Sequence, residues 1–342
     1  MKPLEQYKKF PPSRYMGSKN KIIKNLYEVF SQIDFSSTLD LFSGSSAVSY
    51  LLKSMGKKVI SNDYMFFSSN ISKSIIENSS VKLTNLDINQ LLKVPKNYDK
   101  FVQQKFKGIF FSKNENDFID IVRNNIKKIN NKYKQSIAMS SLVKACQKKQ
   151  PRGIFTFVGK RYDDGRADLK KSFETQLIEG IKVFNNAVFN NKKKNKSLNN
   201  DFTKVKEKPD LVYIDPPYFS KHSDNEYVRR YHFIEGLTRD WKNIQIQENT
   251  KTKKFKKYPS MFDSKQGSFD AINYLIKKYS KQIVVISYSS NSLPTFNEIK
   301  KIAKNFNKEF NAIKIPYTYS FGTQKKRGDI KNTVKEYIFI IK

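Results

Sequence analysis

Residues 38–63 constrain the fold more than any other part of the sequence. The short apolar run Thr38–Phe42 is typical of a buried strand, and the small residues at 43–46 predict a tight turn directly after it. Residues 47–55 carry apolar side chains at helical spacing, and 58–61 predict a second short strand. A strand, a tight turn, a helix and a strand in this order predict a doubly wound α/β sheet.

The strand pattern stops near residue 83 and resumes near the end of the chain. Residues 83–196 carry little strand signal and several amphipathic helical stretches. Further strands are predicted at 210–214, 282–287, 312–316 and 337–341. We therefore predict a sheet domain made of 1–82 and 197–342, interrupted by a mostly helical insert at 83–196. The polar, lysine-rich excursion at 220–262 is longer than an ordinary loop, which favours a functional role that the sequence does not define.

The sequence Asp215-Pro216-Pro217-Tyr218 follows directly after the apolar strand LVYI. A carboxylate at the carboxyl end of a strand in an open α/β sheet stands where ligands bind. Two prolines fix φ and stiffen the turn, so that a backbone carbonyl can face a ligand. Two acceptors followed by an aromatic ring suit a planar base that carries an amino group. The alternative is an ordinary strand-ending turn with an exposed aspartate.

Three further segments have the composition of a nucleotide site. An acidic residue that ends the second strand about 20 residues after the first is where a ribose diol is held in nucleotide-type folds, and Asp63 stands 23 residues after Asp40. Residues 14–19 (RYMGSK) offer a cation, an aromatic ring and a flexible turn before a helix. Residues 200–202 (NDF) offer an acid and an aromatic ring. Taken alone, the turn and residues 14–19 fit an ordinary strand–helix turn and a basic helix start better than a site, and residues 200–202 indicate nothing.

Taken together, and in their order along the chain (14–19, 40–63, 200–202 and 215–218), the four segments resemble the Dam-like (alpha-group) family of adenine-specific DNA methyltransferases. The resemblance implies a Rossmann-like methyltransferase sheet with helices on both faces, a target-recognition insert and S-adenosylmethionine as cofactor. It implies catalytic roles for Asp215, Pro216, Pro217 and Tyr218 on a flipped adenine. It implies that Tyr15 and Lys19 contact the methionine end of the cofactor, that Asp63 binds the ribose, and that Asp201 and Phe202 hold the cofactor adenine. The remaining pocket residues are then Asp40, Phe42, Gly44 and Ser46, the last of which stands where the family usually has glycine.

The charge of the chain points to a polyanionic partner. Lys and Arg number 65 against 31 Asp and Glu, for a net charge of +34, and neutralising phosphates supplies most non-specific affinity for nucleic acid. A compositional bias towards Lys explains the total charge equally well. The candidates for DNA contact are Arg152, Lys160, Arg161, Arg166, Arg229, Arg230 and His232. Phosphate contact or solvation is an alternative for each arginine and lysine, and a structural role is an alternative for His232.

Other classes of protein are excluded by composition. With a single cysteine, Cys146, and two histidines, the chain offers neither a disulfide framework nor a Cys/His zinc site. No apolar run reaches the length of a membrane span, so we expect no membrane partner. We also expect no metal, and a cytoplasmic location. We expect double-stranded DNA as the partner, and the sequence leaves a cognate restriction endonuclease open. An RNA adenine methyltransferase or a non-catalytic DNA-binding protein on the same fold are the alternatives.

Overall fold

The computed structural model describes residues 2–156, 158, 165–219, 227–318 and 333–342. Its helices are α1 (Pro3–Tyr7), α2 (Ile23–Ser31), α3 (Ala47–Ser54), α4 (Phe66–Ser72), α5 (Asn85–Leu92), α6 (Phe101–Lys105), α7 (Lys113–Ile126), α8 (Lys132–Lys148), α9 (Ala167–Lys170), α10 (Phe173–Ala187), α11 (Tyr227–Thr238), α12 (Lys265–Lys278) and α13 (Phe296–Asn305). Its strands are β1 (Ser37–Asp40), β2 (Lys58–Asn62), β3 (Lys196–Leu198), β4 (Leu211–Ile214), β5 (Ile283–Ser289), β6 (Phe310–Thr318) and β7 (Thr333–Ile341).

These strands follow the order β3-β2-β1-β4-β5-β7-β6 in a seven-stranded sheet flanked by helices. The pairs β2–β3, β1–β4 and β4–β5 are parallel, whereas β7 runs antiparallel to both β5 and β6. The α/β class predicted from the sequence is therefore confirmed. A parallel sheet covered by helices requires strands that are apolar on both faces, and all four residues of β4 are buried.

The chain folds into two compact units. The first comprises Met1–Phe30, Ser43–Lys204 and Glu226–Tyr258, and the second comprises Ser31–Phe42, Val205–Asn225 and Pro259–Lys342. In the first unit α10 packs against α8, and α8 also contacts α4 and α11. Residues 83–195 of this unit form helices, turns and connecting segments where the structure describes them. The predicted functional division, with a target-recognition insert at 83–196, stays a prediction.

Local sequence signals explain where several helices begin. The helices α5, α7 and α13 each start with a capping box, in which a Thr or Ser hydroxyl accepts the N–H of the third residue and an acidic side chain accepts in return. The core of the first unit is strongly aromatic. The ring of Phe233 lies 5.0 Å from the rings of both Phe106 and Phe155, and Trp241 packs beside Phe106 at 5.5 Å.

In the second unit, α12 and α13 pack against each other and α13 contacts β6. Asp210 lies at the start of β4 and accepts hydrogen bonds from the backbone N–H of Ser36 at 2.9 Å and of Ser37 at 2.8 Å. These bonds fix the entry into β1 beside β4 and lower the pKa of Asp210 to about 2. None of the helices in the described part of the chain has the length and apolar character that a membrane crossing needs.

Candidate functional site

The residues predicted from the sequence fall into two groups, one in each compact unit. In the first unit, Asp63 follows the last residue of β2 and is 6% exposed. Its Oδ2 accepts the N–H of Gly44 and its Oδ1 accepts the N–H of Met65, both at 2.8 Å. Burial raises the pKa of Asp63 to about 7 despite these two N–H donors, and the nearby carboxylate of Glu235 raises it further. Asp63 is therefore a buried carboxylate that closes the turn after β1.

The turn at 43–46 depends on two residues in the left-handed region. Gly44 has φ of +48° and Ser46 has φ of +65°. A Cβ on Gly44 would stand 2.8 Å from Cε1 of Tyr15, so a side chain has no room there. The hydroxyl of Ser46 bonds to that of Ser72 at 2.6 Å. Ser72 is the last residue of α4, so this bond gives the side chain of Ser46 a fixed partner. The family that the sequence resembles usually has glycine at this position.

Tyr15 is held by rings from two helices. It stacks on Tyr231 at 5.4 Å with 5° between the planes, and it also contacts Tyr227 and Phe67. The hydroxyl of Tyr231 accepts the N–H of Met16 at 2.8 Å, which fixes the backbone of the same loop. Burial, with a smaller contribution from Asp63, raises the pKa of Tyr15 well above its ordinary value. Lys19, which begins a short 3-10 turn, is 6% exposed.

Glu235 is an important residue of this group that the sequence analysis did not assign. It is fully buried on α11 and accepts the N–H of Phe66 at 3.0 Å and of Phe67 at 3.1 Å, at the start of α4. The hydroxyl of Tyr258 donates to it at 2.7 Å. Burial raises the pKa of Glu235. Through these bonds Glu235 holds the backbone that follows Asp63.

The segment that contains Asp201 and Phe202 lies against the end of β2. The side-chain amide of Asn199 donates to the carbonyl of Asp63 at 2.8 Å, and that of Asn62 donates to the carbonyl of Asn200 at 3.1 Å. Asp201 accepts the N–H of Thr203 at 2.9 Å, and Phe202 is 5% exposed. The structure thus places the segment that contains Asp201 and Phe202 beside the end of β2, where Asp63 lies.

The second unit contains the other group. Asp215 and Tyr218 are half-buried and Pro216 is buried, directly after β4. The hydroxyl of Tyr218 lies 2.7 Å from Oδ1 of Asp215, 3.1 Å from Oε1 of Glu336 and 3.3 Å from the carbonyl oxygen of Ser287. Pro217, which stands between Pro216 and Tyr218 in the turn, is also half-buried. The turn therefore starts at a carboxylate that directly follows β4. It ends at a tyrosine whose hydroxyl is held by Asp215, Glu336 and Ser287.

Two more predicted pocket residues belong to the second unit, at the end of β1. Asp40 is 1% exposed, and the N–H of the next residue, Leu41, donates to the carbonyl of Tyr213 at 3.0 Å. Phe42 packs edge-on against Phe262 with ring centres 5.6 Å apart. Both residues are thus fixed next to β4, whose last residue precedes the Asp-Pro-Pro-Tyr turn.

The predicted DNA contacts differ in exposure. Arg152 is exposed and left-handed, with φ of +54°. Arg229 and Arg230 are half-buried on α11, and Arg166 is half-buried before α9. His232 is fully buried and its Nε2 lies 2.9 Å from the carbonyl oxygen of Phe155, with burial lowering its pKa to about 3; this position favours the structural alternative for that residue. The two remaining candidates, Lys160 and Arg161, lie outside the described residues.

Within the part of the chain that the structure describes, no group of three or more His, Cys, Asp or Glu side chains is placed to hold a metal ion. The polar and aromatic groups around Asp63 are the carboxylate of Glu235, the ring of Tyr15 and the backbone N–H groups of Gly44 and Met65. Of the four or so lone-pair positions on a carboxylate, two of those on Asp63 are used by Gly44 and Met65. The others suit the hydroxyls of a ribose.

Comparison with known proteins agrees with this geometry. The family model described as D12 class N6 adenine-specific DNA methyltransferase matches residues 15–292. The Type II methyltransferase M2.HphI of Haemophilus parahaemolyticus is 27% identical over 97% of this chain and 98% of its own length. The Type II methyltransferase M.FokI of Planomicrobium okeanokoites and the modification methylase StsI of Streptococcus sanguinis are 26% and 25% identical over 96% of the chain, which spans about half of each. The chain belongs to the family of D12 class N6 adenine-specific DNA methyltransferases.

Proposed function

We propose that this DNA adenine methyltransferase transfers a methyl group from S-adenosylmethionine to N6 of an adenine flipped out of double-stranded DNA. The observation that carries the proposal is the rigid Asp215-Pro216-Pro217-Tyr218 turn after a fully buried strand. An adenine amine is a poor nucleophile because its lone pair is delocalised into the ring. Acceptors that are fixed in place can draw its two N–H bonds towards tetrahedral geometry without metal or covalent chemistry.

Asp215 and Pro216 supply those acceptors. The carboxylate of Asp215 accepts one N–H of the amine and the carbonyl of Pro216 accepts the other, and the lone pair then points away from both. The ring of Tyr218 stacks on the base and holds it out of the duplex, at a cost of a few kcal/mol for the lost base stacking. The proton leaves after methyl transfer, so Asp215 acts by orientation and electrostatics rather than as a strong base.

Most of the residues that we assign to the cofactor lie in the first unit. We assign the ribose diol to Asp63, the cofactor adenine to Asp201 and Phe202, and the methionine end to Tyr15 and Lys19. Gly44 and Ser46 of the first unit, and Asp40 and Phe42 of the second, are the further candidates for cofactor contact from the sequence. When bound, S-adenosylmethionine supplies a methyl group that its sulfonium already activates, so the protein needs only to bind and orient. The support for this assignment is the buried carboxylate of Asp63 and the close turn that it holds.

We assign DNA contact to the exposed and half-buried basic residues. Arg152 is the best candidate for reading a base edge, because it is exposed on a strained turn and arginine reads guanine with two hydrogen bonds. Arg166, Arg229 and Arg230 are candidates for phosphate contact. Lys160 and Arg161 remain candidates from the sequence.

The relatives also suggest a biological role. Their names identify Type II methyltransferases and a modification methylase, and we propose that this enzyme protects DNA in a restriction-modification system with a cognate endonuclease. Once the methylated sequence is mapped, DNA from cells that express the enzyme is expected to resist an endonuclease that cuts the same sequence. Cleavage of the modified DNA at that sequence would contradict a protective role.

The reaction is tested by incubating the purified chain with AT-rich genomic DNA and labelled S-adenosylmethionine and resolving the digested nucleosides. We expect label in N6-methyladenine. RNA incubated in parallel tests the RNA alternative, because label confined to RNA would contradict the DNA assignment. Cofactor binding without label in either nucleic acid would support a non-catalytic binding protein.

The pKa of Asp63 predicts a pH dependence of cofactor binding. The ionised carboxylate accepts at both oxygens, which two ribose hydroxyls require, whereas the protonated carboxyl donates at one of them. Because the pKa of Asp63 is raised to about 7, the ionised form gains population as pH rises through that value. We expect the affinity for S-adenosylmethionine to increase about tenfold between about pH 6 and 8 and then to level off. Calorimetric titration at a series of pH values measures this slope.

Asp63→Asn is the control for that titration, because the amide does not titrate. We expect weaker binding of S-adenosylmethionine that is constant over the same range. Wild-type affinity that stays constant or decreases with rising pH would show that Asp63 is not the ribose ligand in its ionised form.

Gly44 and Gly56 provide a matched pair for the turn. Both are left-handed, with φ of +48° and +79°, but a Cβ on Gly56 meets nothing within 4 Å. We expect Gly56→Ala to lower the free energy of unfolding by about 1–2 kcal/mol for its backbone alone. We expect Gly44→Ala to cost about 1–3 kcal/mol more, because its Cβ overlaps the ring of Tyr15. Chemical denaturation measures both values.

Cofactor titration of the same two variants separates stability from binding. We expect Gly44→Ala to weaken binding of S-adenosylmethionine, since the displaced ring of Tyr15 belongs to the proposed pocket. Gly56→Ala lies outside that pocket and is expected to bind as the wild type does. Equal affinities in the two variants would remove Tyr15 and the turn from the cofactor site.

A further inference from the structure

The hydroxyl of Tyr218 has two carboxylate neighbours. It lies 2.7 Å from Oδ1 of Asp215 and 3.1 Å from Oε1 of Glu336. A phenol has one proton and therefore donates one strong hydrogen bond at a time. The two carboxylates are thus alternative acceptors for the same hydroxyl.

Glu336 is placed for this contact by the sheet. It lies on β7 directly opposite Ser289 of β5 and is 2% exposed. Ser287, whose carbonyl oxygen is 3.3 Å from the Tyr218 hydroxyl, lies two residues earlier on β5. A carboxylate buried in a strand is costly unless hydrogen bonds compensate for its lost hydration. Glu336 is therefore a buried acceptor within hydrogen-bond distance of the Tyr218 hydroxyl.

The proposed reaction makes competing demands on Asp215. Its carboxylate has to accept from the adenine amine, and a hydroxyl that donates to the same carboxylate weakens its pull on that amine. The Tyr218 ring also has to keep a fixed plane in order to stack on the base. An edge contact with Tyr288, with ring centres 5.2 Å apart, restrains one side of the ring, but the orientation of the hydroxyl depends on its acceptor.

We propose that Glu336 is a positioning residue for the methylated adenine: it accepts the hydrogen bond of the Tyr218 hydroxyl while Asp215 accepts from the adenine amine. Glu336 then acts through Tyr218, fixing the plane of the stacking ring and leaving the carboxylate of Asp215 to the base. This inference rests on the proposed function of Asp215 and Tyr218. A purely structural role, in which Glu336 supports β7 and nothing more, is the competing explanation.

A double-mutant cycle separates these two explanations. The variants are Glu336→Ala, Glu336→Gln, Tyr218→Phe and the double variant Tyr218→Phe with Glu336→Ala. The exposed carboxylate at Glu309, which precedes β6, provides the matched control Glu309→Gln. The measurements are kcat and KM for DNA, the Kd for S-adenosylmethionine, and the fluorescence of 2-aminopurine at the target position.

We expect Glu336→Ala to lower kcat about tenfold, the effect of losing one hydrogen bond to a charged group, and to reduce the 2-aminopurine signal, with cofactor affinity unchanged. Glu336→Gln is expected to retain most of the activity, because its amide oxygen still accepts from the hydroxyl. In the Tyr218→Phe background, Glu336→Ala is expected to have no further effect. Glu309→Gln is expected to behave as the wild type.

Equal losses of kcat from Glu336→Ala with and without the Tyr218 hydroxyl would overturn the proposal, and so would a Glu336→Gln variant as impaired as Glu336→Ala. The same cycle measured on the free energy of unfolding, without DNA or cofactor, tests the hydrogen bond itself. Coupling in unfolding together with a wild type that leaves adenine unmodified would instead refute the proposed function.

Discussion

Asp215→Ala is expected to lower kcat for methyl transfer to adenine by at least about 10²–10³-fold. This is the size of the loss when one preorganised group that stabilises a transition state is removed. The carboxylate is fixed at the end of a fully buried strand and is half-buried itself. Its loss leaves the amine with a single fixed acceptor, the carbonyl of Pro216. Single-turnover transfer of labelled methyl groups to DNA measures the change.

Cofactor affinity is expected to stay at the wild-type value in this variant, because the proposed ribose and adenine ligands belong to other segments of the chain.

The matched control lies at the other end of the same strand. Asp210→Asn and Asp215→Asn make the same change, but the carboxylate of Asp210 accepts from Ser36 and Ser37 at the start of β1. We expect Asp210→Asn to stay within about twofold of wild-type kcat, as for a substitution away from the chemistry. Equal losses in the two variants would mean that Asp215 acts through the fold.

The central strands were predictable because burial on both faces leaves a visible apolar run. The run at 210–214 corresponds to β4, and the run at 282–287 corresponds to β5. The edge pair β6 and β7 extends to Phe310–Thr318 and Thr333–Ile341, well beyond the predicted 312–316 and 337–341. Backbone pairing continues there through polar residues such as Lys335 and Glu336, which carry no apolar signal.

The helix that follows β2 shows a different limit of sequence periodicity. It is an α-helix only over Phe66–Ser72 and continues as a π-helical turn over Lys73–Glu77. The ammonium of Lys53, which is fully buried, donates to the carbonyls of Ile75 and Asn78 at 2.8 Å each. This end of the helix is therefore satisfied by a residue more than twenty positions earlier, which periodicity within the helix cannot reveal.

Spacing was enough to identify Asp63 and the turn at Gly44, because both follow from the order of strand, turn and helix. It did not identify the residues that hold them, since those come from remote segments: Glu235 lies 168 or more positions from Phe66 and Phe67. One signal was present in the sequence. Glu235 lies inside the apolar segment FIEGL, and Glu336 stands at the start of the apolar run EYIFII. A carboxylate in such a run has to find a partner on folding.

Arg123 is held in a buried ionic network in the first unit. It is 1% exposed on α7, and its Nη2 lies 3.0 Å from Oδ1 of Asp120 and 2.8 Å from Oδ2 of Asp99. Its Nη1 donates to Asp240. Asp120 is fully buried and also accepts the N–H groups of Val102 and Gln103, at the start of α6. The network thus joins α6, α7 and the residues after α11.

Arg123→Met is expected to lower the free energy of unfolding by about 3–5 kcal/mol, because it leaves the carboxylate of Asp120 buried without its cation. Lys127→Met is the matched control: Lys127 pairs with the same Asp240 at 2.6 Å but is 40% exposed, and we expect a cost of about 1 kcal/mol or less. Adding Asp120→Asn to Arg123→Met removes the stranded charge and is expected to recover part of the loss. Chemical denaturation measures all three variants. A cost for Arg123→Met no larger than that for Lys127→Met would show that water compensates Asp120, and that aromatic packing rather than this ionic network holds α6 to α7.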